Sequence, residues 1–184
     1  MATNLYHETV YKLLFFSLVL IAAGYPTRAQ PFAQPATGKA LVYFVRPSSG
    51  GALINFRYFD GDHYLGKTNG VNYFTYECEP GEHIFWVAAE NRDFVRGRLQ
   101  ADATYVLEVQ PRVGAIKAAV QLQPVSPDDT QRVKKITKLI RRKEPKPLKG
   151  QGDDMAFFIK NGMDRYRKVQ DTKKVAVLDT NWTF

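Results

Sequence analysis

Between residues 38 and 125, hydrophobic and polar positions alternate with a period of two. That is the mark of strands buried on one face. Ile54, Phe56 and Tyr58 share a face opposite Asn55 and Arg57. Phe74, Tyr76 and Cys78 oppose Thr75 and Glu77. Ile84, Trp86 and Ala88 make a further set, and Val95, Gly97 and Leu99 alternate with Arg96 and Arg98. Tyr105, Leu107 and Val109 alternate with Glu108 and Gln110, and Ile116, Ala118, Val120 and Leu122 with Lys117, Gln121 and Gln123. Leu41 to Val45 is nearly all apolar, which predicts a strand buried on both faces. Asp60-Gly61-Asp62 and Pro80-Gly81 supply turn chemistry. Together these predict about seven or eight short strands. The fold class they define is mainly β, an antiparallel β-sandwich. The aromatic side chains fall at strand spacing and read as core.

The pattern changes at Gln123-Pro124-Val125-Ser126-Pro127, where we place the end of the β domain (38–125). Residues 126–184 read as a basic extension with one or two helices and a possible last strand. Ser126, Pro127, Asp128 and Asp129 suit a helix start. Val133, Ile136 and Ile140 follow at helical spacing. Pro145 and Pro147 end the helix. Asp153-Asp154 can open a second helix, with Met155, Phe158 and Ile159 on one face and Tyr166 further along. Gly162 weakens it. Lys174 to Leu178 is a candidate strand for a sheet edge.

The N-terminus has a different pattern. Leu13 to Gly24 is an uninterrupted hydrophobic run apart from Ser17, shorter than the roughly 20 residues of a membrane-spanning helix. Lys12 precedes it, and Thr27 and Ala29 supply the small residues of a cleavage site. Residues 1–29 are therefore read as a signal peptide and the protein as exported, periplasmic or extracellular. A retained anchor is the alternative. Residues 30–37 read as a loosely ordered spacer. The single cysteine, Cys78, excludes an internal disulfide and reads as a buried thiol.

The formal net charge is +8, and it is unevenly placed. Residues 38–125 carry nine Lys/Arg against nine Asp/Glu, whereas residues 126–184 carry fifteen against eight. The basic helix thus invites two readings. One is a solvated face on a helix packed against the sandwich. The other is contact with anionic envelope surfaces, such as lipid head groups, through Arg132, Lys135, Lys138, Arg141 and Arg142. Nucleic acid is disfavoured, because the cluster lacks interleaved aromatics.

Catalytic chemistry finds little support. No zinc-protease, nucleophile-elbow, phosphate-loop or paired-cysteine motif is present. Asp60, Asp62 and His63 are metal-ligand types, but a turn needs the same residues. Glu77, Glu79 and Glu82 crowd one hairpin and read as a solvated turn. No catalytic, cofactor-binding or metal residue is assigned, and no cofactor is expected.

Four segments resemble a known family. Lys39-Ala40-Leu41-Val42-Tyr43-Phe44-Val45-Arg46-Pro47 resembles the opening strand of domain-of-unknown-function family 2846. Tyr58 to Gly66 is similar to its strand, Asp-Gly turn and strand. Glu79-Pro80-Gly81-Glu82-His83 is similar to its Pro-Gly turn, and Leu99 to Tyr105 to its later Thr-Tyr segment. The resemblance covers about residues 38–125. It implies a small exported bacterial β-sandwich, in style like carbohydrate-binding-like and PEGA-like domains, with no known activity. Many relatives are lipoproteins, whereas this chain lacks the lipobox cysteine. The expectation is a non-enzymatic envelope protein acting as a binding or structural module toward an unknown envelope protein or glycan. The alternatives are a carbohydrate-binding module using Tyr64, Tyr73 or Trp182, and a peripheral membrane-surface protein using helix 126–142.

Overall fold

The computed structural model describes residues 31–113 and 118–184. The predicted signal peptide at 1–29, Gln30 and the predicted strand positions Ile116 and Lys117 lie outside the described residues.

Nine strands are found among the described residues, in two sheets. The first sheet has the order β4 (Asn72–Cys78), β1 (Ala40–Arg46), β7 (Ala103–Val113), β8 (Ala118–Pro124). The second has the order β3 (His63–Thr68), β2 (Phe56–Asp60), β5 (Gly81–Ala88), β6 (Arg92–Leu99), β9 (Val175–Leu178). The mainly β sandwich stands as expected, with one change. Two pairs, β1 with β7 and β6 with β9, run parallel, so both sheets are mixed. In each case the strands are joined by long excursions and not by a hairpin, which is what a parallel pair requires.

The inner faces meet in one apolar layer. Val42, Phe44, Phe74 and Leu107 come from the first sheet, and Tyr58, Phe85, Val87 and Val95 from the second. Phe44 stacks on Phe74 with ring centres 4.9 Å apart and meets Tyr58 and Phe85 edge-on.

The outer faces are also buried. Helix α1 (Thr130–Ile140) lays Ile136 on Tyr43, Val45 and Val106 of the first sheet. Helix α2 (Ala156–Val169) lays Tyr166 and Val169 on Phe59, Trp86 and Phe94 of the second. The described residues from Pro31 onward therefore form four layers, helix–sheet–sheet–helix. This accounts for the continuous apolar runs at Leu41–Val45 and Phe85–Ala88: a central strand covered on both faces has no polar side to alternate with.

Several sequence expectations shift. Leu53 and Ile54 are not in a strand. Leu53 is 90% exposed, and β2 begins only at Phe56. The cause is Arg46, fully buried at the end of β1. Its guanidinium donates to the carbonyls of Gly50, Gly51 and Ile54 and lies 4.2 Å over the Phe56 ring. It holds residues 50–54 as a turn before pairing resumes. Alternation along β2 then puts Phe59 on the outer face, and the register shift between Tyr58 and Phe59 leaves Leu65 of β3 without a partner position. The spacer is also pinned. Phe32 is buried against Tyr43 and Phe184, Ala33 N–H donates to Tyr43 Oη, and Ala33 O accepts from Thr104 Oγ1. Helix α1 starts three residues later than Ser126 suggested, with Asp129 as the cap accepting from Arg132 N–H.

Residues 143–154 carry the chain from one outer face to the other. Lys146 N–H donates to Tyr73 O on β4, and Lys149 exchanges backbone hydrogen bonds with Lys67 on β3. Lys67 Nζ and Asp153 form an ion pair at 2.8 Å. The strap thus crosses the free edges of both sheets.

Candidate functional site

Helix α1 sorts its side chains by solvent. Ile136 is buried, and Val133, Leu139 and Ile140 pack with it on the first sheet. Lys134, Lys135, Lys138, Arg141 and Arg142 are all exposed. Four of the five residues singled out from sequence therefore stand on one outward surface, joined by Lys134.

Arg132 does not join them. Its Nε lies 3.2 Å from Glu108 Oε2 and 3.4 Å from Asp129 Oδ2. Glu108 is buried on β7, and the Arg132 pairing supplies its counter-charge. Arg132 therefore fastens α1 to the sheet. No sequence period links residues that far apart, so the assignment needed the fold. Lys143 is exposed just beyond the helix, with Nζ 2.7 Å from Val71 O.

An aromatic platform is not assembled from the predicted rings. Tyr64 and Tyr73 are buried, and Trp182 is half-buried against the core. Among the described Phe, Tyr and Trp side chains, Phe157 alone is exposed. Stacking a sugar needs an open ring face, and the buried Tyr64 and Tyr73 offer none.

The turn residues make an arrangement that sequence alone did not show. Antiparallel pairing of β2 with β5 sets Asp60 opposite Phe85 and brings His83 beside it. His83 Nδ1 lies 2.8 Å from Asp60 Oδ2, and His83 Nε2 lies 2.8 Å from Glu79 O. Tyr76 Oη donates to the same carboxylate oxygen at 3.3 Å. Burial opposes a charge on His83. The hydrogen bonds to Asp60, the Cys78 sulfur and the Glu79 carbonyl prevail and lift its pKa from 6.5 to about 10. Both ring nitrogens face acceptors, so both carry protons at neutral pH. Held this way, the ring has no lone pair for a metal or for taking a proton.

The neighbouring groups are similarly committed. Cys78 is buried with Sγ 3.9 Å from Ala40 O. Glu79 pairs with Lys39, Glu82 with Arg98, and Glu77 accepts from Ala36 N–H. His63 and Asp62 are exposed on the β2–β3 turn. Among the described residues no three His, Cys, Asp or Glu side chains cluster closely enough to hold a metal ion. No helix among them is long and apolar enough to cross a membrane.

The fold and surface define a helix-flanked β-sandwich with a cationic outer helix. No protein-family model matches the chain, and no curated protein matches it.

Proposed function

We propose that the protein is a non-enzymatic exported module of the bacterial envelope, and that it docks on anionic envelope surfaces through the outer face of α1. One observation carries this reading. Lys134, Lys135, Lys138, Arg141 and Arg142 lie exposed together on a helix whose apolar stripe is already buried. The apolar leader, the lack of a catalytic motif and the resemblance to family 2846 support the exported, non-enzymatic part.

The packing also sets the mode of contact. An amphipathic helix that inserts into lipid needs its apolar face free. Here Ile136 is fully buried, so attraction is electrostatic and subject to salt screening.

Flotation of the mature protein with vesicles tests this. Binding is expected with anionic lipid at roughly 0.1 M salt and loss at roughly 1 M, where the Debye length falls to about 3 Å. With about 1 kcal/mol for each basic residue near the surface, the triple variant Lys135→Ala, Lys138→Ala, Arg142→Ala lowers partitioning roughly a hundredfold. Equal binding to neutral vesicles, or no change in the variant, would overturn the proposal.

A further inference from the structure

A second cationic feature lies where α2 meets β6 and β8. The end of α2, the start of β6 and the free side of β8 enclose a cleft of about 300 Å³. That is the low end of the range for small-molecule sites. Four cations line it: Arg92, Arg165, Lys173 and Lys174. A single carboxylate, Asp93, lines it with them. Asp93 is already engaged, since its Oδ2 accepts from Leu122 N–H at 2.7 Å. That bond, with Asn91 bonded both ways to the Val120 backbone, closes the outer edge of β8.

The charge in the cleft is therefore in excess. On α2 itself, by contrast, Lys160 and Arg167 both meet Asp164. Arg92 is the most constrained of the four. Its guanidinium carbon sits 4.6 Å over the Phe158 ring. Burial also lowers its pKa. A planar guanidinium held in place by a ring suits a phosphate better than a point charge does.

The remaining walls suit a hydroxylated body. Gln123 and Gln121 present amides, the Gln121 oxygen already accepting from Arg112. Phe94 and Leu122 supply an apolar floor.

We infer that this cleft binds a phosphomonoester carried on a sugar or polyol. The inference is independent of the α1 surface and stands or falls separately from it.

The test is amide-shift titration of the mature protein with glucose 6-phosphate, inorganic phosphate and glucose. Saturable shifts at Phe94 and Leu122 are expected with glucose 6-phosphate, weaker ones with phosphate and none with glucose. Arg165→Glu with Lys174→Glu, both exposed positions, should lose at least tenfold in affinity while melting as the wild type. The triple α1 variant should titrate unchanged. That variant, offered vesicles of neutral lipid with phosphatidylinositol 4-phosphate, separates the sources: binding displaced by glucose 6-phosphate assigns a lipid head group, and no binding assigns a soluble ligand. No saturation at Phe94 and Leu122, an unaffected double variant, or phosphate binding as tightly as glucose 6-phosphate would each overturn the inference.

Discussion

His83 is held as a cation between Asp60 and Glu79, and that makes the protein's stability depend on pH. Its pKa is about 10 in the folded state and 6.5 without these partners. A raised folded pKa stabilises fully below the unfolded value and loses its effect as pH climbs through the folded one. The denaturant midpoint should therefore fall between about pH 6.5 and pH 10. His83→Gln should be less stable at pH 6 and should flatten the profile in that window. Parallel profiles for the two proteins would remove His83 as the cause.

Gly162 gives a second prediction. A methyl group there would meet Trp86 Cη2 at 2.4 Å. Alanine favours a helix by about 1 kcal/mol over glycine. Overpacking costs about 1–3 kcal/mol, and a ring stacked on Phe59 at 3.7 Å has nowhere to move. Gly162→Ala should therefore lower the melting temperature. At this scale the sequence is only partly legible. It placed Cys78 on the inner face of its strand, but it read Gly162 as a weakness and Asp60 and His83 as separate turn residues. Both readings depend on partners that come from distant strands.

The elements themselves are more legible, because they follow from periodicity. The alternating segments became strands, the stripe at Val133, Ile136 and Ile140 became α1, and the Lys174–Leu178 segment became β9. Expectations failed where one side chain overrides the pattern. Leu53 and Ile54 continue an alternation, but Arg46 binds the carbonyls around them into a turn. Asp129 replaces Ser126 as the cap of α1 because its carboxylate reaches the Arg132 N–H. Asp129→Ala should cost about 1 kcal/mol, measured by urea unfolding. Ile136→Ala should cost about 2–5 kcal/mol, since a fully buried contact with the first sheet leaves a cavity. The surface cations on α1 were readable as a class, while the diversion of Arg132 to Glu108 was not.

Across the whole molecule, the change of composition near residue 125 is not a border between independent parts. Residues 31–184 form one compact unit. The extension covers both outer faces, and its strap guards β3 and β4 while Asn91 and Asp93 guard β8. Protecting every long edge in this way suppresses edge-to-edge association. A chain ending at residue 152 leaves Phe59, Trp86 and Phe94 bare. It should bind a hydrophobic dye and lose the cooperative transition of the full chain.

The parallel seating of β9 beside β6 also governs time. A ribosome or a translocation pore that delivers this chain from its N-terminus releases Trp86 well before Tyr166, Val169 and Leu178. Pairings between such distant segments form slowly. Throughout that interval the half-delivered chain shows an aromatic face to whatever surrounds it. Newly made molecules are therefore open to association until the closing segment arrives.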